Sequence, residues 1–259
     1  MSFRRSSLSI CLLFGFCGTL FAGAYEDYST VFAKQTKAQK ITSNGWFIRL
    51  GAGLDHSSFN DMKYHNPNYT NVSVTHTSGD DSFMAKFGFG YQYRFNHYLN
   101  SRYELDFYTH AQSEHLEART SVNSGGTPIL GKAKLRVGNA PLLANVYLMF
   151  QPETSRYGVF INGGMGVAYV ETISSMSRTQ GGASISGYKY RNKVLTPVAY
   201  DAGAGLLFQL NKRVDLSLGY QYISSGRIKT GKTRLNNSGE LLHGFYQNDV
   251  FMFDVVIKM

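Results

Sequence analysis

The sequence predicts an all-β fold, an eight-stranded antiparallel up-and-down transmembrane β-barrel, on three observations. Short segments alternate apolar and polar residues with period two, which gives a strand one greasy face and one wet face. The links between those segments are by turns short and long. Outside the N-terminus, no apolar run reaches the roughly 18 residues a membrane helix needs. A chain with a mean hydropathy of -0.22 can then enter lipid only as a closed set of strands.

The N-terminus reads as a secretory signal peptide over residues 1–24. Arg4 and Arg5 precede an apolar run from Leu8 to Phe21, and Ala22-Gly23-Ala24 supplies a small-residue cleavage site ahead of Tyr25. Cys11 and Cys17 both fall inside this leader, so the exported chain is expected to carry no disulfide, thiolate metal site or cysteine nucleophile. Ile10 and Phe16 stand where a lipid-acceptor cysteine would want a small neighbour, which argues against a lipoprotein. Residues 25–45 are polar, with Lys34, Lys37 and Lys40, and read as a short periplasmic lead-in, the alternative being a plug of the lumen. The barrel then occupies residues 46–259.

Eight segments carry the alternation: 46–55, 82–93, 99–109, one within 134–150, 157–170, 198–210, 214–223, and 245 to the end. The second sets Phe83, Ala85, Phe87, Phe89 and Tyr91 on one face and Lys86, Gly88, Gly90 and Gln92 on the other. Three links are tight, at 94–98, 151–156 and 211–213. Four are long, at 56–81, 110–133, 171–193 and 224–244, and are rich in Ser, Thr, Asn, Gly and charge. Loops of that length argue against an ordinary compact domain. They suit a barrel with short periplasmic turns and long external loops, and an even strand count puts both of its ends on the periplasmic side.

Lipid decides which face points where. A charge on the lipid side costs up to a few kcal/mol near the midplane, so the charged face must point inward. The sequence therefore predicts a lumen network of Arg49, Lys86, Arg102, Glu104, Asp106, Asp201 and Asp254. Inward glycines at two-residue spacing (Gly51/Gly53, Gly88/Gly90, Gly164/Gly166, Gly203/Gly205) make room for those long side chains across a narrow interior. Trp46, Tyr91, Tyr93, Phe95, Tyr98 and Tyr157 form one expected aromatic band, and Tyr169, Tyr200, Tyr222 and Phe245 the other.

On the inward-glycine strands Phe87-Gly88-Phe89-Gly90-Tyr91-Gln92, Asn162-Gly163-Gly164-Met165-Gly166-Val167-Ala168-Tyr169 and Ala202-Gly203-Ala204-Gly205-Leu206, the chain resembles small outer-membrane barrels of the OmpA transmembrane-domain, OmpX and opacity-protein type. The closing run from Phe251 to Met259 also fits, although such families usually end in Phe and this chain ends in Met259. The resemblance spans about 46–259. It implies an outer-membrane location and roles in adhesion, envelope integrity or narrow-pore activity. The peptidoglycan-binding domain that OmpA-type chains often add is not expected, because the sequence stops with the last strand.

Chemistry-bearing residues are sparse. Gly203-Ala204-Gly205 and Gly164-Met165-Gly166 do not complete a dinucleotide fingerprint, and no cofactor is expected. His56, His65, His76, His110, His115 and His243 fall in or beside the long links and read as solvated loop residues. A lipid-modifying hydrolase or acyltransferase would need a converging set. The nearest candidates, Asp55, His56 and Ser57, are consecutive, so a strand points them to opposite faces. The expectation is a non-enzymatic protein.

Two links are basic. One carries Arg178, Lys189, Arg191 and Lys193, the other Arg227, Lys229, Lys232 and Arg234, within a chain of formal net charge +9. Their expected partners are lipopolysaccharide phosphates and sulphated or sialylated host glycans, or host receptors, with a narrow pore as the alternative function. Nucleic acid is not an expected partner of an exported barrel without any nucleic-acid motif. The molecule is expected to be a monomer.

Overall fold

The computed structural model describes residues 44–65, 72–77, 79–110, 114–122, 129–153, 155–180, 183–189, 191–231 and 241–259. The expected signal peptide, and the expected lead-in up to residue 43, lie outside these residues; Gly45 already belongs to the first strand. The strands are β1 (Gly45–His65), β2 (Val72–Thr77), β3 (Asp80–Arg94), β4 (Leu99–His110), β5 (Glu114–Val122), β6 (Ile129–Phe150), β7 (Tyr157–Gln180), β8 (Ala183–Lys189), β9 (Lys193–Leu195), β10 (Val198–Gln209), β11 (Val214–Lys229) and β12 (Leu241–Lys258).

Eight of them form a ring. β1 pairs with β3, β3 with β4, β4 with β6, β6 with β7, β7 with β10, β10 with β11, β11 with β12, and β12 returns to β1, antiparallel throughout. Closure leaves no backbone edge facing lipid, the condition for spanning a bilayer with strands. The seam runs from Phe47↔Lys258 to His65↔Leu241, and the Met259 amide donates to the Trp46 carbonyl at 3.0 Å. The tight turns are tied by side chains. Asn96 Oδ1 accepts from the amides of Tyr98 and Leu99, both at 2.9 Å. Asn211 Oδ1 accepts from Arg213 at 2.8 Å and Val214 at 2.9 Å.

The outward face is a belt of exposed apolar side chains, among them Leu50, Leu54, Phe87, Leu105, Val146, Ile161, Met165, Leu206, Phe251 and Phe253. No water-soluble surface carries so continuous an apolar area, whereas a lipid-facing one requires it. Aromatic rings edge the belt near the tight turns. Trp46 stacks on Phe89 with centroids 5.1 Å apart, Tyr93 meets Phe95 at 5.1 Å, and Tyr157 meets Phe208 at 5.1 Å. Toward the other end Tyr169 is exposed and Tyr200 meets Tyr222 at 6.3 Å.

The long links need correction. Much of what reads as loop continues as strand: β1 runs on to His65, β7 to Gln180 and β11 to Lys229, while β2, β5, β8 and β9 fill parts of the links. Beyond the ring's rim, β5 extends the wall from β6 and pairs with β2, and β7 carries β8 and β9. The reason lies in the side chains. In this outer half the apolar residues turn inward: Phe59, Ala133, Leu135, Val137, Val170, Ala199, Ile223, Ile228, Tyr246 and Val250 form one buried cluster inside the ring. Outward positions there are mostly polar or charged, with Leu130, Ile173 and Val194 as exposed apolar exceptions, so a search for lipid-facing strands does not see them.

Candidate functional site

Two regions carry chemistry: the polar lumen below the apolar cluster, and the outer rim.

In the lumen, strand parity brings the expected charges inward, where they lie in tiers. Nearest the tight turns, Arg102 is bound through Nη2 to Asp215, its Nε donates to Gln92 Oε1 at 2.9 Å, and Lys258 Nζ reaches Asp215 at 2.8 Å. One tier up, Arg49 lies 2.9 Å from Glu104 and 3.3 Å from Asp254, with its guanidinium 4.1 Å over the Tyr147 ring. Beside it Lys86 Nζ lies 3.1 Å from Asp106 Oδ2 and 2.6 Å from the Tyr147 hydroxyl. Asp106 Oδ2 also accepts from Asn145 at 2.7 Å. Asp201 is held by amides, accepting from Asn162 at 3.3 Å and from Gln221.

Asp215 and Lys258 are the members that sequence reasoning left out of the network. Both sit on the inward parity of their strands, so the signal was present. Glycine opens the space: a methyl group at Gly88 would run into the carboxylates of Glu104 and Asp106. The cavity left beside Arg49, Lys86, Tyr147, Asn162, Gln221 and Asp254 is about 10 Å³, room for roughly one water.

Above this lies the one grouping among the described residues that resembles a hydrolase. Asp55 and Ser57 point inward and His56 outward, so the consecutive residues do not converge; His56 Nδ1 instead meets Asp81 at 2.6 Å on the exposed side. His110, expected in a solvated loop, ends β4 with its side chain turned inward. Its Nδ1 lies 3.2 Å from Asp55 and 3.4 Å from Ser82 Oγ. Serine and carboxylate thus crowd the same ring nitrogen, whereas a nucleophilic triad needs them on opposite nitrogens. Asp55 also accepts from Asn248 at 2.9 Å. This is a polar tie across β1, β3, β4 and β12.

At the rim two β-bulges flank β12. One falls in β1 between Asn60 and Lys63, with Asp61 at φ 55°; the other falls in β11 between Ser224 and Arg227, with Gly226 at φ 70°. Bulges re-aim side chains at barrel rims. On their outer side Arg227 pairs across to Phe245, and Lys229 and Lys63 both pair to His243, so Lys63, His243 and Lys229 form one row over three strands. Arg227, Ile228, Lys229 and His243 line a cavity of about 280 Å³. The Thr172 hydroxyl of β7 lies 3.3 Å from the Lys193 carbonyl and 3.4 Å from that of Lys229. The structure therefore brings the two basic links together: Lys193 and exposed Arg191 stand next to exposed Lys229. Lys189 is exposed at the end of β8, and Arg178 sits on β7 opposite Gly131 and Ser186. These residues are on strands or their ends, not in long free loops. Lys232 and Arg234 lie outside the described residues.

No family model matches the sequence. Two proteins of Rickettsia bellii (strains RML369-C and OSU 85-389), provisionally named adhesins, are each 26% identical over 220 residues, covering 82% of this chain and 86% of their own. Among solved structures, Neisserial surface protein A is similar over 84% of this chain and 100% of its own, at 14% identity and a TM-score of 0.39. The outer-membrane protein OprG of Pseudomonas aeruginosa covers 83% and 97%, at 12% identity and 0.40. The attachment invasion locus protein of Yersinia pestis covers 81% and 99%, at 16% identity and 0.27. By its closed eight-strand ring, lipid-facing belt and packed polar lumen, this chain is itself an outer-membrane β-barrel.

Proposed function

We propose that the protein is a non-enzymatic surface barrel whose outer rim makes adhesin-type contacts with polyanions, sulphated host glycans foremost. The observation that carries this reading is the convergence of Arg191, Lys193, Arg227 and Lys229 at one sector of the rim, beside the cavity that Arg227, Lys229 and His243 line. Clustered cations focus a positive potential and raise the capture rate of a charged ligand. Guanidinium groups add paired hydrogen bonds to sulphate or phosphate oxygens. The adhesin name of the Rickettsia proteins points the same way. So does a structure of the Yersinia protein with the heparin analogue sucrose octasulfate.

Whole cells displaying the barrel should bind immobilised heparin, and an Arg191→Ala/Arg227→Ala/Lys229→Ala variant should bind it at least tenfold more weakly. The wild-type binding should also weaken steeply as salt rises. Binding unchanged in the variant would remove the glycan reading. The lumen tiers belong to envelope stability in this proposal, not to transport.

A further inference from the structure

On the far side of β7 from β8 and β9, and three strands round the ring from β11, β6 carries a second basic feature of a different kind. Lys132, Lys134 and Arg136 occupy alternate positions and are exposed. The residues between them and beside them, Ala133, Leu135 and Val137, belong to the buried cluster inside the ring. The three cations therefore project sideways from the outer wall, not up from a loop tip.

Their height matters. On the same face of β6 the apolar belt runs from Phe150 through Leu148, Val146, Ala144 and Leu142 to Ala140, which pairs with exposed Tyr169 on β7. With the usual ~3.3 Å rise per residue and ~40° tilt, that stretch climbs about 25 Å, the height of a lipid-facing band. Arg136 then stands about 10 Å above Ala140, and Lys134 and Lys132 about 5 and 10 Å higher again. Arg136 is thus at headgroup level, where a flexible cation can keep its stem on apolar wall and its charge in the polar layer. Ile173 of β7, paired with Arg136, supplies exposed apolar wall beside it.

By register His115, Glu117 and Arg119 of β5 oppose Arg136, Lys134 and Lys132, and on β7 Ser175 and Ser177 oppose Lys134 and Lys132, with Glu171 opposite Gly138. Among the side chains described on β6 and β7 here, the three cations face two serines and the half-buried Glu171.

We propose that Arg136 and Lys134, with Lys132 above them, form a lateral site for the phosphate groups of outer-leaflet lipid, fixing the depth and orientation of the barrel. The site rests on the chain spanning a bilayer and is independent of glycan capture at the rim. Each Lys or Arg held at an anionic membrane surface contributes about a fivefold gain in partitioning.

The test uses the full detergent-solubilised barrel with diphosphoryl lipid A and its dephosphorylated form as probes, read by native mass spectrometry. Wild type should retain the phosphorylated lipid at least tenfold better than the dephosphorylated one. The Lys134→Gln/Arg136→Gln variant should lose about 25-fold, and each single variant about fivefold. Heat-modifiable gel migration shows that a variant is folded, and the single variants decide the matter where the double does not fold. Equal retention of both lipids by wild type, or variants within twofold of wild type, would show a merely solvated wall and overturn the proposal. Heparin binding by the β6 variants should stay at the wild-type level, so failure here and failure of the glycan reading give different results.

Discussion

At the scale of single residues, the lumen is governed by the cost of isolating a charge. Lys86 is buried, and its ammonium is satisfied by Asp106 and the Tyr147 hydroxyl. Removing one member of such a pair leaves the other uncompensated, at a cost of about 3–5 kcal/mol, while removing both charges costs far less. Lys86→Met should therefore destabilise the barrel by about 3–5 kcal/mol in urea titrations in lipid vesicles. Lys86→Met/Asp106→Asn should regain most of that, because an amide oxygen can still accept from Asn145 and Tyr147 without a net charge. A double variant as unstable as the single would mean that shape, not charge, holds this tier.

At the scale of the element, β6 shows both what the sequence made legible and what it concealed. Over residues 140–150 the even positions are apolar and face lipid, while Asn145 and Tyr147 face the lumen. Over residues 130–137 the parity continues but the chemistry reverses: Lys132, Lys134 and Arg136 face out, Ala133, Leu135 and Val137 face in. A period-two search tuned to greasy exteriors finds the first stretch and ends there. That is why the ring was legible in the sequence and the outer wall read as loop. The lumen charges were legible for the same reason, as every one lies on inward parity. Convergence of Lys193 with Lys229 was not, since it depends on β9 folding back along β7. The reversal makes a depth-dependent forecast. Val146→Arg, in the middle of the belt, should cost about 2–4 kcal/mol, whereas Leu130→Arg, equally outward-facing but beyond it, should cost about 0–1 kcal/mol. Both are measured by urea unfolding in vesicles, and equal costs would mean that the outer half of β6 also lies in hydrocarbon.

At the scale of the molecule, the question is whether the ring conducts. An eight-strand ring leaves an interior only wide enough for side chains. Here it is closed twice: by the charged tiers around Arg102, Arg49 and Lys86, and by the apolar cluster above, where Phe59 meets Tyr246 with centroids 5.4 Å apart. Opening a path means parting at least one buried ion pair, about 3 kcal/mol or more, which at about 1.4 kcal/mol per decade leaves an open fraction below roughly one in a hundred. Planar bilayers containing the barrel should accordingly show brief flickers at most and no steady conductance. Tyr246→Ala, which thins only the upper closure, should remain just as silent, because the charged tiers still fill the lumen. Adding Arg49→Ser and Arg102→Ser should raise the open fraction, as one tier loses the cation that links β4 to β11 across the lumen and the other the cation that ties β1 to β4, β6 and β12. A steady current through the unaltered protein would show that the tiers part at little cost, and would restore the narrow-pore function that two independent closures argue against.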